Sequence, residues 1–224
     1  MARRTRQLAL KMPATWGGKR EGAGRKPKFG KAGVSHARRP DHKARHPLHV
    51  TLRVRRDVPM LRELGLGAAL GRSIRLASRE AFRVIHFSIQ PDHLHLVVEA
   101  SDRNALSRGM RGLTIRSARA INRCLGRTGQ VFPDRYHVRT LATPREVRHG
   151  IAYVLLNWGH HVEGGCGVDP YSSGRWFSGW KTPIADPGPD GPVRAPRTWL
   201  ASVGWRRYGL VRLDEVPGKS GSIH

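Results

Sequence analysis

The chain has 224 residues, enough for one well-packed domain with additional segments. Its 41 Lys and Arg against 16 Asp and Glu leave a formal charge of +25, far beyond what solubility requires, so polyanions are the expected partners. No apolar run approaches the roughly 20 residues of a membrane-spanning helix, no signal-peptide core follows the basic start, and Cys124 and Cys166 lack metal-type spacing; together these read as a reduced, cytoplasmic chain with no membrane partner.

Residues 1–46 are rich in Arg, Lys, Gly and Pro and poor in large apolar groups, which predicts a basic flexible arm that binds phosphates without folding. Periodic patterning begins after it. His49 to Arg55 alternates as a half-buried strand, and Pro59 opens a helical stretch to about Ala81 with Leu61, Leu64 and Leu70 inward. Phe82–Ile89 and His93–Ala100 read as strands joined by the turn Gln90-Pro91-Asp92. A basic helix follows from about Ala105 to Leu125, and a fourth strand spans about Tyr136 to Leu141. Thr143 as cap, Pro144 at the first helical position, Glu146 in the first turn and the spacing of Val147, Ile151, Val154 and Leu155 then define a last helix. The order βαββαβ followed by α predicts an α+β fold, a ferredoxin-like antiparallel sheet with an added C-terminal helix, over residues 47–163. Residues 164–224 read as a loop-rich extension whose aromatic and basic residues either pack onto the domain or stack on unpaired bases. His160, His161 and Cys166 lack a fourth ligand for zinc.

Strand alternation places His93 and His95 on one face while Leu94 turns into the core. Two imidazoles at the mouth of a strand suit a metal, although histidines also sit at strand ends for packing alone. On the last helix Tyr153 and Asn157 are four apart and share a face. A divalent ion held by His93, His95 and the side-chain carbonyl of Asn157 keeps positions open for phosphate oxygens. A tyrosine hydroxyl, with an ordinary pKa of about 10, attacks phosphorus only when the phosphate charge is neutralised. Tyr136, Tyr153, Tyr171 and Tyr208 compete for that role. Tyr136 is the chief rival, and only Tyr153 has a candidate ligand one helical turn on.

The run Asp92-His93-Leu94-His95-Leu96-Val97-Val98-Glu99, the stretch Val131-Phe132-x-x-Arg135-Tyr136 and Tyr153-x-x-x-Asn157 resemble, in order and spacing, the single-tyrosine HUH transposases, in particular the REP-associated tyrosine transposases. The match runs over roughly residues 46–161, and Trp16-Gly17-Gly18-x-Arg20-x-Gly22-Ala23-Gly24-Arg25-Lys26-Pro27 is similar to the leader of many such proteins. The resemblance implies cleavage and rejoining of single-stranded DNA at palindromic hairpins. Tyr153 becomes joined to a 5′-phosphate, and Mg²⁺ or Mn²⁺ is held by His93, His95 and Asn157. Arg108, Arg111, Arg116, Arg135 and Arg139 are the candidate DNA contacts, and the protein acts as a monomer or homodimer. Insertion-sequence relatives usually carry Gln at Asn157. REP-associated ones commonly continue Pro-Val-Arg-Ala, where this chain has Trp158-Gly159-His160-His161. Two other readings stay open: a catalytically silent nucleic-acid-binding protein of the same fold, and a plasmid-mobilisation or replication nickase. Against a replication initiator stand the modest length and the lack of a helicase-like phosphate loop.

Overall fold

Alternating apolar residues build four strands, and the computed structural model pairs them as one antiparallel sheet of order β2-β3-β1-β4. It describes residues 39–63, 65–160, 167–185 and 187–215. Most of the expected basic arm, and the segment carrying His161 and Cys166, lie outside them. In chain order the elements are β1 (Leu48–Arg53), α1 (Leu66–Arg75), β2 (Phe82–Ile89), β3 (His93–Ala100), α2 (Arg103–Cys124), β4 (His137–Thr140), α3 (Pro144–Leu156) and the short α4 (Trp199–Ser202). β1 to β4 with α1 and α2 form the βαββαβ sheet, and α3 is the added helix.

The helix expected to run from Pro59 to Ala81 is much shorter. Gly65 has φ 71°, a left-handed conformation that an α-helix interior does not accept, so α1 starts at Leu66. Residues before it form turns, and Arg62 reaches across instead to the Ile89 carbonyl and to Asp169. β1 also ends earlier than expected, because Val54 N–H bonds to the Asp92 carbonyl and Arg55 N–H to that of Val131.

The pleat of β3 divides the molecule into two cores. Leu94, Leu96 and Val98 join Val50, Val84 and Phe87 under α1 and α2. Val97 joins Ile85 under Val147, Ile151, Val154 and Leu155 of α3. Helix α2 lies so close to the sheet that a Cβ on Gly109 would sit 2.1 Å from Cγ of Phe82, and only glycine permits that approach. Helix α3 begins with a capping box in which Thr143 Oγ1 accepts from Glu146 N–H and the Glu146 carboxylate accepts from Thr143 N–H.

The extension completes the second core with Phe177, Trp180, Leu200, Trp205 and Val211. It also covers the free edge of β2: Ile89 N–H donates to the Tyr171 carbonyl, Phe87 N–H to Ser173 Oγ, and Arg194 N–H to the Val84 carbonyl. Covering an edge strand in this way satisfies donors that would otherwise template aggregation. Within β3, buried Glu99 accepts the backbone N–H groups of Arg197 and Thr198 at the start of α4. On the other side of the domain, the described end of the expected arm is fastened too: Arg39 lies 3.6 Å over the Tyr136 ring and donates to its carbonyl, and His42 bonds to that of Ala100.

A forked pair from Arg62 to Asp169, whose carboxylate is fully buried, adds a further tie. Asp169→Ala leaves the guanidinium largely buried with no anion. The expected result is a loss of about 3–5 kcal/mol of stability, read as a lower urea midpoint with an unchanged slope.

Candidate active site

Because β3 is central, His93 and His95 are both buried, at 8% and 4% exposure. Their Nε2 atoms face each other at 2.9 Å, with the rings nearly perpendicular. Each ring is fixed from behind. Nδ1 of His93 lies 2.5 Å from an Asp92 carboxylate oxygen, which sets its proton on Nδ1 and leaves the Nε2 lone pair forward. Nδ1 of His95 lies 3.2 Å from both Thr51 Oγ1 and Nε2 of His49. Burial opposes ionisation of Asp92, but its bond to His93 and the charge of Arg53 hold its carboxyl below the ordinary range. Arg53 pairs with it at 3.0 Å.

Register explains the arrangement. Thr51 is opposite His95 on β1, His137 is opposite Thr51 on β4, and Ser88 is opposite His95 on β2. One cross-strand row of polar residues therefore runs over the α3 side of the sheet. The next row is His86, Val97, His49 and Arg139.

Helix α3 delivers Tyr153 onto this floor. Its ring lies edge-on to His95 at 5.1 Å between centroids and to His49 at 5.6 Å. It is half-buried, and desolvation pushes its phenol above the ordinary value, so the hydroxyl is protonated at neutral pH. Asn157, one turn on, caps α3 and is buried at 3% exposure. Its Nδ2 position is buried with no partner among the described residues, an orphan at one end of a carboxamide whose N and O are assigned by their surroundings. Tyr136, the rival nucleophile, packs into the opposite core under Arg39 and is separated from the histidines by the sheet.

Two Nε2 atoms at 2.9 Å match neighbouring ligands of an octahedral ion, which lie about 3.0 Å apart when each bond is about 2.1 Å. The carboxylate behind His93 and the hydroxyl and imidazole behind His95 are the outer partners that such ligands need. Among the described residues no group of three or more His, Cys, Asp or Glu is arranged to hold a metal.

The candidate DNA contacts divide. Arg139 stands on the site's own side, beside His49 and paired with Glu146 at 3.2 Å. Arg108, Arg111 and Arg116 belong to α2, across the sheet from the histidines. Arg135 precedes β4 and is part-buried. Sequence reasoning took His49 only as a strand residue. Its membership of the site follows from β1 pairing with β3, and the alternation His49-x-Thr51 beside His93-x-His95 was the available signal.

Residues 44–154 match the family model described as transposase, IS200-like, and through this domain the chain belongs to that family. Among solved structures it is similar to a REP-associated tyrosine transposase bound to a REP hairpin. That match has 18% identity and a TM-score of 0.45, covering 57% of this chain and 74% of that one. A protein from Deinococcus radiodurans R1, described provisionally as a transposase, aligns with 16% identity and a TM-score of 0.36, over 50% of this chain and 86% of that one. No curated protein matches.

Burial lowers the pKa of His86 to about 4, and burial with the charge of Arg139 does the same for His49. A folded pKa below the unfolded value of about 6.5 means that the unfolded chain takes up a proton the folded chain refuses. Stability is therefore unaffected above pH 6.5 and falls as pH drops from there towards 4. For His86 the expected loss is about 3 kcal/mol across that window. Urea midpoints at a series of pH values should show it, with a slope shallower by that amount in His86→Gln.

Proposed function

We propose that this transposase is of the REP-associated type and cuts and rejoins single-stranded DNA at palindromic hairpins through Tyr153. The reading is carried by one observation: the Nε2 atoms of His93 and His95 converge on the side of the sheet where α3 lays the Tyr153 ring. The motifs in order along the chain, the family assignment and the charge of +25 support it. His93 and His95, with Asn157 as third ligand, would hold Mg²⁺ or Mn²⁺, and that ion would neutralise the non-bridging oxygens of the scissile phosphate.

The protein's own groups do the rest. Tyr153 Oη gives up its proton to solvent and forms a bond to phosphorus, the bond between phosphorus and the 3′-oxygen opposite it breaks, and that oxygen takes up a proton to leave as the 3′-hydroxyl. The 5′-phosphate stays on Tyr153, which conserves the bond energy for rejoining without ATP. Asp92, Thr51 and His49 act as positioning residues that hold the two imidazoles. Arg139 lies where it can meet a phosphate beside the site, while Arg108, Arg111, Arg116 and Arg135 are proposed to hold flanking DNA. No helix among the described residues is long and apolar enough to cross a membrane, and we assign the protein to the cytoplasm.

Tyr153→Phe should abolish covalent attachment to labelled single-stranded DNA on denaturing gels with little change in binding, whereas Tyr136→Phe should retain attachment. An adduct in the Tyr153 variant would reassign the nucleophile. Retained binding with no adduct in the wild type at any divalent ion would identify a silent DNA-binding protein.

Asp92→Asn tests the metal assignment separately. Weakening the partner of His93 should lower Mn²⁺ affinity about 10–100-fold in calorimetry.

A further inference from the structure

Between the C-terminal extension and β2 lies a half-open cavity of about 690 Å³ that the catalytic reading does not use. Its walls include Trp176, Phe177 and Trp205, with Arg175, Arg194 and Arg206 around them, and none of its described lining residues is acidic. Arg175 and Arg194 have no ion-pair partner among the described residues, and Arg206 donates to Ser178 Oγ while lying 4.8 Å over the Trp205 ring. Three guanidinium groups beside aromatic walls, in a volume within the range of small-ligand sites, match a flat heterocycle carrying a phosphate. The pocket is preformed. Gly191 backs the Trp176 ring so tightly that a Cβ there would lie 2.8 Å from Cδ1, while the residue as a whole is only partly buried.

Position adds to the argument. His86 lines the cavity, stands opposite Val97, and Val97 stands opposite His49. The cavity floor and the histidine site thus share one side of the sheet, with the apolar core under α3 between them. Burial keeps His86 neutral, so the floor adds no charge of its own. The same extension exposes Trp199 and Tyr208, with Arg207 lying 4.8 Å over Trp199, a further surface of the kind that bases stack on.

We propose that this cavity receives an unpaired nucleotide of single-stranded DNA, its base against the partly exposed Trp176 and its phosphate on Arg175, Arg194 and Arg206. The site extends the reading of the protein as a single-strand transposase by giving the strand a second point of attachment.

The test is made in the Tyr153→Phe protein, so that no chemistry enters the readout. Short single-stranded oligonucleotides with one 2-aminopurine moved along the sequence are titrated at about 200 mM salt, where binding through phosphates alone is weak. The expected result is fluorescence quenching confined to one or two positions. Trp176→Ala should remove it and lower single-strand affinity about tenfold, with blunt duplex affinity unchanged, since stacking contributes about 1–3 kcal/mol per base. Arg194→Gln, whose side chain the fold does not use, should lower single-strand affinity severalfold and guards against misfolding of the Trp176 variant. Quenching that survives both substitutions, equal losses for single strand and duplex, or a free mononucleotide that binds as tightly as the oligonucleotide would each overturn the proposal. Failure of covalent attachment in the wild type, with position-specific quenching retained, would overturn the catalytic reading and leave this one standing.

Discussion

Strand β3 is buried along its whole length on both faces, so every polar side chain on it must find its partner inside the protein. Three of its eight residues are polar or ionisable, and each has recruited a different part of the chain. Asp92, in the turn before the strand, serves His93; Thr51 and His49 of the neighbouring strand serve His95. Glu99 is met from the far end of the sequence, by backbone N–H groups of residues 197 and 198. The histidines face each other because their back nitrogens are already engaged, and the extension folds across the sheet partly because Glu99 and the edge of β2 demand it.

The division of labour between the two sides of the sheet follows from the same strand. The side under α1 and α2 is apolar from Leu94 to Val98 and carries stability alone. The other side mixes imidazoles with apolar residues and cannot be closed by one amphipathic helix. Helix α3 covers the half with Ile85 and Val97, and the aromatic residues of the extension complete what it leaves open. Chemistry and packing are therefore neighbours here: Tyr153 meets His95 from a helix whose next buried residues, Val154 and Leu155, seal the core.

What could be read from the chain was what local rules decide. The bounds of β2 and β3 coincide with the runs Phe82–Ile89 and His93–Ala100, because a turn with proline separates two β-rich segments. The start of α3 was legible for the same reason, its cap, proline and acidic first turn being consecutive. The shortness of α1 was not, since a leucine-rich pattern continues past Gly65 and only the backbone shows the left-handed residue. The alternation of His49 with Thr51 becomes a signal only once β1 is known to pair with β3, and nothing local reveals Glu99 as an anchor or Arg62 paired with Asp169. These contacts join residues 46, 98 and 107 positions apart and depend on strand order rather than on any neighbour.

Helix α3 is gripped from outside as well as from the core. Arg148, buried at 8% exposure, donates to the carbonyls of Gly209 and Leu210 and pairs with Glu215 at 2.8 Å. Tyr153 is five residues further along the same rigid rod. For the helix to carry its tyrosine away from the histidines, these contacts of Arg148 must break first. The position of Tyr153 against His95 is thereby tied to a stretch of chain 61 to 67 residues beyond Arg148, so the extension helps to set the distance between that ring and the histidines.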